Sequence, residues 1–226
     1  MRTFKALSLL LSYPSADLQQ AIPAIRDVLV DDGIITPGML APLLARMETG
    51  DIYDLQEDYV ILFDRTRTLS LNLFEHLHGE SRDRGGAMVD LLEMYRAGGL
   101  DLDGTELPDH LPVLLEYLST RPLDEAREVL ADAGHIIAAL HERLMRRGTD
   151  YAAVLGALTA LAEATVESEE AQALLEQPDD DPEDLEALDE VWEEAAVTFG
   201  PDPNAGCPIS RDILARMDLP PASAAR

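Results

Sequence analysis

Cysteine is almost absent: Cys207 is the single one among 226 residues. No intramolecular disulfide can form, and zinc sites built from paired cysteines are ruled out. Aromatics are scarce at 5%, and runs of β-branched residues are few. With Leu and Ala dominant, that balance favours helix over sheet. Positive charge is short as well, with 17 Lys and Arg against 44 Asp and Glu, a formal net charge of −27. A phosphate backbone is gripped by clustered cations that displace counterions, so the balance argues against a nucleic-acid partner. It argues equally against an anionic membrane surface. Such a chain attracts a basic partner, such as an Arg-bearing peptide, although solubility or a salty cytoplasm accounts for the acid equally well.

Long hydrophobic runs are missing too. No apolar stretch approaches the roughly 18–20 residues that span a bilayer. Arg2 and Lys5 precede Ala6–Leu11, but that run is shorter than a signal sequence requires, and Tyr13-Pro14-Ser15 offers no small-residue cleavage site. The expectation is a cytoplasmic protein with no direct membrane insertion. Catalytic signatures are equally sparse: there is no G-x-S-x-G, Walker loop, G-x-G-x-x-G or H-E-x-x-H. Ser81 and Cys207 have no activating context. The residues do not spell an enzyme, and no cofactor is expected.

What the chain does contain is helical rhythm. Phe4, Leu7 and Leu11 predict a first helix over about residues 2–12, stopped at Pro14. Ser15 caps a second that reaches about Val30, with a bend expected at Pro23. Thr36-Pro37 reads as the cap and first position of a third, ending near Gly50. Asp51 caps a fourth, in which Ile52, Leu55, Tyr59, Leu62 and Phe63 form one stripe. The pattern breaks at Arg65–Thr68, and a short helix is expected over Leu71–Leu77. Another, capped by Ser81, carries Met88, Leu91, Leu92 and Tyr95. Asp109 is expected to cap the helix bearing Leu111, Leu114, Leu115 and Leu118, and helices near 122–132, 135–147 and 150–164 follow. The expected fold is an all-α, single-domain multi-helix bundle with an acidic C-terminal appendage.

Domain organisation follows from composition. Residues 1–165 read as the helical core, 166–200 as an acidic linker and tail helix, and 201–226 as an irregular or disordered tail. From Gly148 to Ser210 there are 17 acids and no Lys, Arg or His. Within that stretch Gln177–Pro182 (QPDDDP) reads as a mobile linker.

The chemistry-bearing residues concentrate in Asp58 to Arg84 (DYVILFDRTRTLSLNLFEHLHGESRDR), with a shorter echo at Glu106 to Tyr117 (ELPDHLPVLLEY). Glu75-x-x-His78 sets two metal-ligating groups on one helix face, but the second such pair of a di-iron protein is missing. A helical metal-binding protein or small oxidoreductase using Glu75, His76, His78 and Glu80 is therefore the alternative reading. The simpler role for His76 and His78 is hydrogen bonding to a helix end or a nearby carbonyl. His135 and His141 lie near a surface-looking helix rich in Arg143, Arg146 and Arg147. Arg65, Arg67, Arg82 and Arg84 either order a loop by pairing with Glu75, Glu80 or Asp83, or contact a partner.

These residues also carry a resemblance. Leu10-Leu11-Ser12-Tyr13-Pro14, DYVILFD at 58–64, LNLFEHLHGESRDRG at 71–85 and ELPDHLPVLLEYL at 106–118 resemble the NarJ-type assembly chaperones of respiratory nitrate reductase. Those belong to the wider TorD/DmsD family of redox-enzyme maturation proteins. The resemblance covers about residues 1–165. It implies an all-helical cytoplasmic chaperone without catalytic activity or a cofactor of its own. Its partner would be the molybdenum-containing catalytic subunit of nitrate reductase, including that subunit's N-terminal segment, kept competent for cofactor insertion and membrane assembly. The candidate client-binding residues are Tyr59, Leu62, Phe63, Leu71, Phe74, Glu75, His76, His78, Glu80, Asp109 and His110. Phe63, Phe74 and Tyr117 serve either as groove or as core.

Overall fold

A computed structural model describes residues 1–78, 82–102, 104 and 106–181, with the side chains of 78, 82 and 83 excepted. Among the described residues there are eleven α-helices and no β-strand, in agreement with the all-α expectation. All of them fall in one compact unit. No described helix is long and apolar enough to cross a membrane.

Helix α1 (Arg2–Leu10) buries Phe4, Leu7 and Leu10 completely. Full burial of each such side chain is worth about 1.5–3 kcal/mol. The carboxylate of Asp32 accepts the Thr3 N–H at 2.9 Å, so the end of α2 (Ala16–Asp32) ties down the start of α1. Ser15 caps α2 through the Leu18 N–H, and Gly33 closes it in the left-handed region at φ 59°. Pro23 is accommodated inside α2. The third helix begins later than Thr36-Pro37 suggests: Pro37–Leu40 is a 3-10 turn, and α3 runs over Ala41–Thr49. Pro42, with no N–H to donate, resets the start, since only the first turn tolerates it.

Asp51 caps α4 (Ile52–Tyr59) as expected, through the Tyr53 N–H at 2.8 Å. The helix then widens into one π-turn over Val60–Asp64, closed by Arg65 N–H to Val60 O at 3.0 Å. After it come a 3-10 turn at Arg67–Leu69, the short α5 (Glu75–His78) and α6 (Arg82–Ala97). Among the described side chains of α6 only Tyr95 is buried; Met88, Leu91 and Leu92 are half-covered.

The centre of the core comes from α7 (Leu111–Ser119), α8 (Leu123–Asp132), α9 (Gly134–Arg146) and α10 (Ala152–Leu161). Helix α1 packs on α7, where Ser8 Oγ donates to Pro112 O at 2.7 Å. Ile136, Ile137, Leu140 and Leu144 on α9 are all buried, as are Tyr151, Leu155 and Leu158 at and along α10.

Two expectations fail at the far end. Arg143 is not on a surface face but 2% exposed. Ser168 caps a further helix, α11 (Glu169–Leu175), which packs on α9. Nor is Gln177–Asp180 a free linker, because Arg143 binds Gln177 O and the Asp179 carboxylate, and Arg147 binds Asp180 O. Breaker residues stop a helix, but they leave backbone and carboxylate oxygens that a buried guanidinium can use.

Candidate functional site

The two motif-bearing runs meet through their backbones. Leu111 N–H donates to Leu71 O at 2.8 Å and Leu73 N–H to Asp109 O at 3.1 Å, making an isolated antiparallel bridge between Asn72 and His110. The bridge holds residues 71–74 outside any α-helix, so the helix expected over Leu71–Leu77 shrinks to Glu75–His78. Asp109 also serves a different end than expected. The cap position of α7 is His110, with no side-chain bond, while the Asp109 carboxylate accepts the Phe74 N–H at 3.0 Å from across the chain. Asp109 is fully buried, and its Oδ1 meets no hydrogen-bond partner. Burial holds its carboxyl above the ordinary value, against the opposing pull of the Phe74 bond and Arg84.

The neighbouring candidates are engaged within the fold. His76 Nε2 lies 2.8 Å from Ser70 O, which places the proton on Nε2 because a carbonyl only accepts. Burial lowers the His76 pKa, partly offset by that bond. Glu75 Oε1 receives Arg84 at 3.3 Å. Tyr59 and Phe63 are buried, as are Leu71 and Asp109; Leu62, Phe74 and His110 are half-buried. Glu80 and the side chains of His78 and Arg82 lie outside the described residues. Among the described residues, no three His, Cys, Asp or Glu side chains converge as a metal site.

Tyr59 forms a wall. Its hydroxyl donates to Leu11 O at 2.9 Å, and its ring meets Phe63 at 5.0 Å and Tyr13 edge-on at 5.6 Å. Against that wall opens a cleft of about 440 Å³. Ser8 and Ser12 form one side, and Pro112, Val113 and Glu116 of α7 another. Asp64, Glu106 and His110 complete the lining. Lys5 pairs with Glu116. Packing on its protein side, with repulsion from Glu106, holds the Asp64 carboxyl above its ordinary value. Burial lowers the pKa of His110, with Glu106 opposing the shift.

Two further clefts adjoin this one. A cavity of about 390 Å³ shares Glu106, Val113 and Glu116 and is walled by Tyr95, Leu100 and Tyr117. A shallower one of about 230 Å³ shares Tyr13 and is bordered by Val60, Ile61 and Arg65. The series therefore runs from a cleft with an apolar wall at Tyr95, Leu100 and Tyr117, through the acidic middle, to a mixed cleft where Tyr13, Val60 and Ile61 stand beside Gln56, Glu57 and Arg65. Of the residues singled out from sequence, Tyr59, His110, Arg65 and Tyr117 line it, while Arg67 is exposed at the start of its 3-10 turn. Sequence reasoning missed Tyr13, Asp64, Glu106, Val113 and Glu116. Each lies inside a quoted motif run, and Val113 and Glu116 share a face of α7 at i, i+3 spacing.

Residues 13–157 match the family model described as nitrate reductase delta subunit. The chain is 44% identical over 209 residues to the nitrate reductase molybdenum cofactor assembly chaperone NarJ of Escherichia coli K12, covering 88% of this chain and 86% of that protein. It is 40% identical over 212 residues to the probable chaperone of the same kind, NarW, with 93% and 89% covered. The probable NarJ chaperone of Bacillus subtilis 168 is 31% identical over 164 residues, with 71% and 88% covered. A match over 93% of the chain cannot stop at residue 165, so the likeness extends further into the acidic region than the motif runs suggest.

Proposed function

The chain belongs to the nitrate reductase delta subunit family, and from that premise we propose that it is a dedicated assembly chaperone of a respiratory nitrate reductase, not an enzyme. It binds the molybdenum-containing catalytic subunit and keeps it competent for cofactor insertion and membrane assembly, acting in the cytoplasm. The observation that carries this reading is 44% identity across 88% of the chain to a molybdenum cofactor assembly chaperone.

The finer reading concerns where and what it grips. The client element is the N-terminal segment of the catalytic subunit, held as an amphipathic segment in the joined clefts. Apolar walls at Val113, Tyr117, Val60 and Ile61 suit apolar anchors, and Asp64 and Glu106 between them suit a cationic side chain. In this reading Tyr59 and His110 contact the client. Phe63, Leu71 and Asp109 support the wall from beneath, and Leu62, Phe74, Glu75 and His76 order the adjoining turn. Two experiments test the two levels. Deleting the gene should leave the cells' nitrate reductase catalytic subunit made but depleted of molybdenum; a fully loaded subunit would refute the chaperone role. Val113→Asp should weaken binding of a synthetic N-terminal client peptide at least tenfold, since it buries a charge against the apolar anchor. Unchanged affinity would place the client elsewhere.

A further inference from the structure

Arg143 takes no part in the cleft, yet its guanidinium joins three segments. Nη1 donates to Thr68 O at 2.8 Å, Nη2 to Leu174 O at 2.6 Å and to Gln177 O at 3.3 Å, and Nε faces the Asp179 carboxylate at 2.9 Å. Next to it, Asp180 Oδ2 accepts both the Thr68 N–H at 3.1 Å and the Thr68 hydroxyl at 3.2 Å. Arg147 holds Asp180 O at 2.7 Å. Both backbone groups of Thr68, a buried residue, are thus served from outside its own loop: the N–H by Asp180 and the C=O by Arg143.

The loop so held connects two parts of the cleft. At one end, Asp64 closes the π-turn and lines the cleft. At the other, Leu71 O accepts the Leu111 N–H, beside His110 and Pro112 of the cleft lining. Between them Thr66, Thr68, Leu69 and Ser70 are buried. If the acidic segment leaves, the buried Thr68 N–H loses its acceptor and Arg143 loses the carboxylate that pairs with it, so the loop is held by the Arg143 bond to Thr68 O alone and loosens.

We infer that Asp179-Asp180 is a latch: closed, it fixes loop Thr66–Ser70 and preorganises the client cleft from behind, so the segment following α11 governs how long a client is held. The inference rests on the cleft being the client site. Opening the latch costs client affinity because the loop must then be ordered at each binding event. By thermodynamic reciprocity, client binding must also tighten the latch.

The test uses the full chain carrying Asp179→Ala and Asp180→Ala together, with a synthetic peptide of the catalytic subunit's N-terminal segment as probe. Amide exchange over residues 66–70 and 174–180 should accelerate at least about tenfold, with α1 and α7 unchanged. The peptide should dissociate about three- to tenfold faster. In the wild type, saturating peptide should slow exchange over 174–180. Thr68→Val, which removes only the hydroxyl, should shift both readouts in the same direction by less, and it decides the matter if the double variant does not fold. Unchanged exchange at 66–70 overturns the latch. Faster exchange with unchanged peptide kinetics overturns its control of the client. A wild type that ignores the peptide refutes the cleft reading itself, and with it that control.

Discussion

A guanidinium with 2% exposure is tolerable only if oxygens surround its charge, and Arg143 has three carbonyls as hydrogen-bond acceptors and the Asp179 carboxylate as an ion-pair partner. Replacing it with Met keeps the volume but strands those carbonyls, so stability should fall by about 3–5 kcal/mol; Lys should recover only part. Urea unfolding measures this, and a loss under about 1 kcal/mol would refute the keystone role. The position was half legible. Arg143 lies i+3 from Leu140 and i+7 from Ile136, on the apolar stripe, but Arg146 and Arg147 beside it gave the helix end a surface look. Asp109 was misread for a related reason. An Asp ahead of a helix caps locally in most sequences, whereas here it caps the turn of a segment 35 residues away, at Phe74. Asp109→Asn keeps the acceptor for Phe74 and should be nearly neutral, while Asp109→Ala should cost about 1–2 kcal/mol. His76 adds a pH dependence. Its folded pKa lies below the ordinary 6.5, so below about pH 6.5 the unfolded chain binds the extra proton first and stability falls, while above that it is flat. His76→Gln, which can still donate to Ser70 O, should flatten the melting temperature between pH 5 and 7. An unchanged slope would assign the acid sensitivity to other groups.

Helices were the readable elements because their evidence is local: stripes at 3.6-residue spacing, Ser15 and Asp51 at caps, Gly33 at an end. What escaped was whatever depends on a distant partner, namely the bridge between Asn72 and His110, α11 against α9, and the three-cleft series. The π-turn at Val60–Asp64 belongs here as well. It turns Asp64 into the cleft lining, although the DYVILFD run reads as uninterrupted helix. Helical glycines give a contrast that tests the packing. A Cβ on Gly156 of α10 would stand 2.9 Å from Cε1 of His141, whose Nδ1 sits 2.9 Å from Ala152 O. On Gly86 of α6 it would meet nothing within 4 Å. Gly86→Ala should therefore gain up to about 1 kcal/mol of helix propensity. Gly156→Ala should lose about 1 kcal/mol net, since displacing His141 outweighs the same propensity gain. Denaturation midpoints should rank Gly86→Ala, wild type, Gly156→Ala; the reverse order would mean that α9 and α10 have slack.

At the scale of the molecule, a net charge of −27 says that cations are attracted but not where they land. Composition alone left solubility and steering as equal explanations. The cleft gives the steering idea an address, because Asp64 and Glu106 line the same cavity and, beyond burial, the Glu106 charge raises the cost of ionising Asp64. A cationic side chain arriving there relieves that repulsion, while apolar walls on either side hold the rest of the segment. Exposed charges of this kind act mainly on the encounter, so the client's association rate should fall as ionic strength rises, with the dissociation rate little changed. Replacing Asp64 with Asn and Glu106 with Gln removes two charges at nearly constant volume. The association rate should drop about three- to tenfold at low salt and lose part of its salt dependence. The matched control is Glu183→Gln with Glu190→Gln, which removes the same charge from the acidic region beyond the described residues. If the charge acts at the cleft, the first pair slows association and the second does not. If both pairs slow it equally, the whole acidic field steers and the cleft carboxylates have no special place. If only the second pair does, the client meets the acidic region first and Asp64 and Glu106 are bystanders.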